Sequence, residues 1–132
     1  MENPFYYQDN EPRAKRIIKK KLEFYHLKNT NKDDQFFGKV ERIYGIKYLG
    51  KAICFLTTVI EKNTIRVYAL ATRPKFRGHG IATMLMEFLI KKAKRTKKKI
   101  WLHASEMGKN IYKKLGFVYQ GDPLEGYMVY NP

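Results

Sequence analysis

A chain of 132 residues has room for one ordinary domain around a single core, and 44% hydrophobic residues with 10 Tyr and 8 Phe are enough apolar surface to build it. That composition excludes disorder, and a single cysteine excludes an internal disulfide framework. With 27 basic against 12 acidic side chains the net charge is +15, which attracts anionic partners without naming one. The longest apolar run, Ala52 to Ile60, is too short to span a bilayer, and the first residues lack a basic region followed by an apolar one. We therefore expect one domain over residues 1–132, cytoplasmic and without a membrane contact. The basic residues concentrate at Pro12–Asn29 and Lys91–Lys99 and read as solvated helix faces and exits.

In chain order, Pro12 suits a helix start, and Ala14, Ile17, Ile18, Leu22 and Tyr25 recur at three-to-four spacing, which predicts an amphipathic helix ending near Asn29. Val40–Tyr48 alternates as a strand, and Leu49-Gly50-Lys51 turns it into the buried run Lys51–Ile60, which contains Cys54. The thiol reads as an inert core group. A second turn leads to the strand Ile65–Thr72, completing an antiparallel meander closed by Pro74. Ile81, Met84, Leu85, Phe88, Leu89 and Ala93 form one helix stripe, followed by a strand at Lys99–Ser105, parallel to Ile65–Thr72 through a right-handed crossover. A short helix, Gly108–Leu115, ends at Gly116, and Phe117–Gly121 with Tyr127–Tyr130 form a last strand pair.

Between the third strand and the long helix lie Arg77, Gly78, Gly80 and Ala82. Glycine inside a helix costs roughly 1 kcal/mol, so a pair at its entry marks a turn or a close approach. A helix N-terminus exposes unpaired N–H groups at the positive end of its dipole, and glycines let a phosphate reach the backbone. The loop reads as a phosphate cradle.

This arrangement resembles the GNAT superfamily of N-acetyltransferases. The run Arg77–Ala82, RGHGIA, fits that family's Arg/Gln-x-x-Gly-x-Gly/Ala acetyl-CoA motif, in its place between strand and helix. Ile111–Phe117, IYKKLGF, is similar to its Leu-Tyr-x-Lys-x-Gly-Phe signature. The resemblance covers roughly Phe36 to Tyr130. It implies an α/β (mixed α+β) fold in which a central, mostly antiparallel mixed sheet splays between the strands containing Leu70 and Trp101, flanked by helices. The N-terminal region is expected to be reduced, the family's first strand being missing or confined to Pro4–Tyr7.

The resemblance further implies acetyl-CoA as co-substrate and direct attack by an amine acceptor in a ternary complex. The backbone from Gly78 through His79, Gly80, Ile81, Ala82 and Thr83 would hold the pyrophosphate, with Arg77 stabilising the loop or pairing with a phosphate. Leu70 and Thr72 would bond the pantetheine amides through their main chain, and Ser105 would add a cofactor contact. Tyr112 matches the tyrosine that gives a proton to the departing thiolate. A thioester is already activated, so positioning is the main demand, and an N–H of the splayed strand would stabilise the developing oxyanion. The base is unassigned, because Ile65–Thr72 carries no carboxylate. Glu106 and His103 lie near the right strand end but read as a surface carboxylate and a satisfied histidine. No metal site is expected. The competing reading is a basic module for nucleic acid or acidic protein. It is the weaker one, since Lys91–Lys99 has no aromatic residue to stack on a base. Oligomeric state, including a homodimer, and acceptor identity stay open.

Overall fold

The computed structural model describes residue 14, residues 16–28 and residues 40–132. Seven strands form one sheet: β1 (Leu22–Lys28), β2 (Val40–Tyr48), β3 (Lys51–Ile60), β4 (Thr64–Thr72), β5 (Lys99–His103), β6 (Val118–Tyr119) and β7 (Tyr127–Tyr130), in spatial order β1-β2-β3-β4-β5-β7-β6. Helix α1 (Ile81–Thr96) crosses from β4 to β5, and α2 (Lys109–Lys114) follows β5. Only β4 and β5 pair in parallel, so the sheet is mixed and mostly antiparallel, as expected.

One expected element is corrected. In place of a helix over Pro12–Asn29, the described residues contain a short 3-10 turn at Lys19–Lys21 and then β1, antiparallel to β2 from Leu22↔Tyr48 to Lys28↔Arg42. The apolar residues Leu22, Phe24, Tyr25 and Leu27 follow no strict alternation, but the Phe, Tyr and His of this segment favour a pleated surface. An open edge on β2 supplies a full ladder of hydrogen bonds, which outweighs a marginal helix propensity. A strand thus precedes β2 at Leu22–Lys28, whereas the suggested Pro4–Tyr7 strand lies outside the described residues.

The β2–β3 turn uses Leu49 at φ +51° and Gly50 at φ +81°, the two left-handed positions of a two-residue hairpin. Helix α1 buries Ile81, Leu85, Met86, Leu89, Ile90 and Ala93 and packs across β2, β3, β4 and β5. Beneath it lie Ile46, Leu56, Ile65, Ile100, Leu102 and Met128, all at most 1% exposed. Each such side chain contributes about 1.5–3 kcal/mol by leaving water, so this layer fixes the helix on the sheet. Cys54 is fully buried among them, its sulfur accepting from Thr72 Oγ1 at 3.4 Å.

The break in the sheet has a local cause. Thr57 pairs with Ala69 and Thr58 with Val67, leaving Tyr68 as an extra residue in β4. The parallel pairing with β5 runs from Thr64↔Lys99 and stops at Val67↔Leu102, directly before this bulge. A bulge bends its strand and interrupts the ladder, so beyond Tyr68 the two strands diverge. Among the described residues no helix is long and apolar enough to cross a membrane.

Candidate active site

The divergence of β4 from β5 opens a cleft of about 630 Å³. One wall is the freed end of β4, Leu70, Ala71 and Thr72. The second is the loop and first turn of α1, with Arg77, Gly78, Gly80, Ile81, Ala82 and Thr83. The third comes from Ser105, Met107, Gly108, Ile111 and Tyr112 at the start of α2. A volume of this size suits a sizeable organic ligand.

The entry to α1 is an open helix N-terminus. The first helical bond is Met84 N–H to the Gly80 carbonyl at 3.0 Å, so the N–H groups of Ile81, Ala82 and Thr83 have no helical acceptor. The cap residue Gly80, at φ +75°, provides no capping side chain, and the first turn has no acidic residue. A Cβ built on Gly80 meets nothing within 4 Å, and Gly78 also sits at positive φ, +81°. Both glycines are thus demanded by the backbone, and the surface they leave bare carries the positive end of the α1 dipole.

Side chains around the loop hold its shape. Arg77 Nε donates to the Thr72 carbonyl at 3.1 Å, tying the loop to the end of β4. His79 does not line the cleft. Its Nδ1 lies 3.1 Å from the Arg77 carbonyl and 3.3 Å from that of Phe76, both acceptors, so this nitrogen carries the ring hydrogen. Its side chain braces the loop, which leaves only its backbone to serve a ligand.

On the opposite wall Ser105 organises the start of α2, its hydroxyl accepting from Gly108 N–H at 3.1 Å. Gly108 has a packing reason: a Cβ there would come within 3.0 Å of Tyr112 Cε2 and 3.2 Å of Ser105 Oγ. The Tyr112 ring therefore lies close against the helix entry and packs tilted on Phe117, 5.5 Å between centroids with 58° between the ring planes, and is 8% exposed. Burial pushes its hydroxyl above the ordinary tyrosine range, so the phenol stays protonated at neutral pH and can donate.

The described residues lining the cleft include neither a carboxylate nor a histidine. Glu106 is fully exposed and bonded to Lys109 Nζ at 2.7 Å, which holds its carboxyl below its ordinary range and ionised. His103 Nε2 donates to the Glu125 carbonyl at 2.8 Å. Both have the surface and structural roles read from the sequence. Ala71, Phe76, Met107, Gly108 and Ile111 also line the cleft. Of these Ile111 opens the IYKKLGF run and Gly108 starts the short helix in the sequence reading; Ala71, Phe76 and Met107 become neighbours through the splay.

Residues 32–119, about two thirds of the 132, match the family described as Acetyltransferase (GNAT) domain, and the chain belongs to that acetyltransferase family. No curated protein matches it in sequence. Among solved structures it is similar to the PaiA N-acetyltransferase from Thermoplasma acidophilum in complex with coenzyme A (20% identity, TM-score 0.61, 68% of this chain and 60% of that one). It is also similar to a GNAT family acetyltransferase from Elizabethkingia anophelis with acetyl-CoA bound (16% identity, TM-score 0.62, 85% and 99%). A third likeness is to the ribosomal-protein-S18-alanine N-acetyltransferase from Escherichia coli (16% identity, TM-score 0.61, 83% and 94%). The chain thus spans less than two thirds of the Thermoplasma protein and nearly all of the Elizabethkingia one. At these identities the likeness is one of fold.

Proposed function

We propose that the cleft binds acetyl-CoA and that the protein transfers its acetyl group to an amine of a small molecule or peptide, in the cytoplasm. The observation that carries this reading is that one cleft joins an open, uncapped helix N-terminus to a protonated, buried tyrosine. The pyrophosphate would rest on the backbone of Gly78–Thr83, where dipole and bare N–H groups favour an anion. Arg77 acts here mainly by fixing the loop to Thr72. The pantetheine would lie along Leu70–Thr72, whose β5-facing edge has no strand partner among the described residues beyond Val67; its amides would replace the missing ladder.

When bound, the thioester supplies an activated acyl group, and this chain's residues position it. Tyr112 would hold a proton for the departing sulfur. A free N–H on the splayed part of β4 would stabilise negative charge developing on the acyl oxygen, a contribution of about 3 kcal/mol for one well-placed donor. Without a carboxylate among the described lining residues, the acceptor amine is best presented already neutral or deprotonated through water. The test is release of CoA thiol from acetyl-CoA across a panel of amines and peptides. Amine-dependent release supports the reading. Acetyl-CoA binding with no turnover on any acceptor would favour a binding role for the fold.

A further inference from the structure

We propose that the face of the sheet opposite α1, at the mouth of the gap between β4 and β5, is an acceptor subsite for an amine that carries an aromatic ring. The proposal rests on the acetyl-transfer reading above: with pantetheine along Leu70–Thr72, an acceptor reaches the thioester from the face that α1 does not cover. Strand β5 alternates, with Ile100 and Leu102 buried beneath α1 and Lys99, Trp101 and His103 on the other face. There a continuous row crosses β4, β5 and β7. The Arg66 guanidinium, held by Glu61 at 3.1 Å, lies 5.2 Å from the centre of the Trp101 ring. Trp101 stacks on Tyr127 at 4.9 Å, with 23° between the planes, and His103 meets Tyr127 edge on at 5.0 Å.

The row stands where the gap begins. Val67↔Leu102 is the last pair between β4 and β5, so Tyr68 and His103 are the next residues on either side of the opening. Tyr68, the extra residue of the bulge, is 63% exposed. Met107, on the loop after β5, lines the cleft and is 86% exposed, and Leu124, in the turn Pro123–Glu125, is 95% exposed. That turn is tied to the end of β5, because Ala104 N–H donates to the Gly126 carbonyl and His103 Nε2 to that of Glu125, both at 2.8 Å. Three of the four most exposed large apolar side chains among the described residues thus belong to segments that meet at the end of the β4–β5 pairing. Apolar groups gathered at one place mark a binding surface, whereas scattered ones do not. The rings add selectivity. They pack edge to face or offset with another ring, and their faces attract an ammonium, which locally offsets the repulsion of a molecule with net charge +15.

Trp101 is the chain's one tryptophan, so its fluorescence reports on this face directly. The full chain, alone and saturated with CoA, is titrated with phenethylamine and with 2-methoxyethylamine, a polar amine of similar length. Acetylation of both amines is then compared by thiol release from acetyl-CoA in the wild type, Tyr68→Ala/Leu124→Ser, Tyr68→Phe/Leu124→Ser and Leu49→Ser, the last removing an equally exposed apolar side chain at the β2–β3 turn. We expect a saturable change in Trp101 emission with phenethylamine alone, and a kcat/KM about tenfold or more above that of the polar amine. Tyr68→Ala/Leu124→Ser should remove most of that preference, chiefly by raising KM for phenethylamine, while Tyr68→Phe/Leu124→Ser, which keeps the ring, recovers part of it. Leu49→Ser should leave the preference within about twofold of the wild type. Equal use of the two amines, a preference untouched by Tyr68→Ala/Leu124→Ser, or no response of Trp101 to phenethylamine would each overturn the proposal while acetyl transfer stands. Thiol release with no amine at all, Trp101 still responding, would instead count against acetyl transfer and leave the ring site in place.

Discussion

Gly80 holds φ +75° at the cap of α1, and a Cβ there would project into open space. In Gly80→Glu the left-handed backbone costs about 1–2 kcal/mol, too little to unfold a typical domain. The added carboxylate would stand where an anion meets the helix dipole. We expect a folded protein whose acetyl-CoA affinity drops by about 100-fold or more; calorimetry showing wild-type affinity would remove the loop from the site. Tyr112→Phe keeps the ring against Phe117 and deletes the proton. Turnover should fall by about 10² or more with acetyl-CoA affinity within about twofold, and undiminished turnover would return Tyr112 to a packing role. Cys54 makes a stability prediction. Burial pushes its thiol to about 11 from 9.0, so between those values an unfolded chain ionises the thiol while the folded one keeps it neutral. Stability from this group is therefore whole below pH 9 and lost as pH rises towards 11, by on the order of 2–3 kcal/mol. Cys54→Ala should flatten that alkaline loss in urea titrations, and an unchanged slope would contradict the assignment.

At the scale of elements, β1 is held by its pairing with β2 and by aromatic packing on both faces. Phe24 stacks on Phe88 of α1 at 5.3 Å, while Tyr25 lies over Gly45, where any Cβ would overlap its ring. Gly45→Ala should cost about 1–3 kcal/mol in the wild type, but under about 0.5 kcal/mol in Tyr25→Ala, where the ring is gone. Equal costs in both backgrounds would mean that the glycine serves the backbone instead. Elements whose pattern had one reading were legible in the sequence. The stripe from Ile81 to Ala93, the hairpin at Leu49-Gly50 and the strand pair closing the chain follow from periodicity and turn chemistry. The Leu22–Lys28 strand was not legible, because three-to-four spacing runs into it from Ala14, strict alternation is missing, and the partner that decides lies in β2. For the site, Gly78, Gly80 and Tyr112 stand out through backbone demand and motif. The bulge at Tyr68 that opens the cleft has no sequence signal, since it is a register shift between two strands.

At the scale of the whole molecule, a net charge of +15 makes the approach of any acceptor an electrostatic event. Acidic or neutral amines should show higher kcat/KM than spermidine at low ionic strength. The gap should narrow with salt, as screening shortens the field to about 10 Å near 0.1 M. Polyamines emerging as the best substrates would mean that local groups, and not the overall field, govern acceptor choice. The lysines of α1 illustrate why net charge alone names no partner: Lys91 and Lys94 are exposed with solvent as their neighbour, while Lys92 lies 5.4 Å from the centre of the Tyr44 ring.

The central claim is that the cleft between β4 and β5 is an acetyl-transfer site in which Tyr112 supplies the proton. It is tested most directly by measuring thiol release from acetyl-CoA in wild type and Tyr112→Phe side by side, over the same panel of amines. We predict amine-dependent release by the wild type, reduced by about 10² or more in the variant at equal acetyl-CoA occupancy. Release that is equal in the two proteins, or absent with every amine while acetyl-CoA is bound, would contradict it.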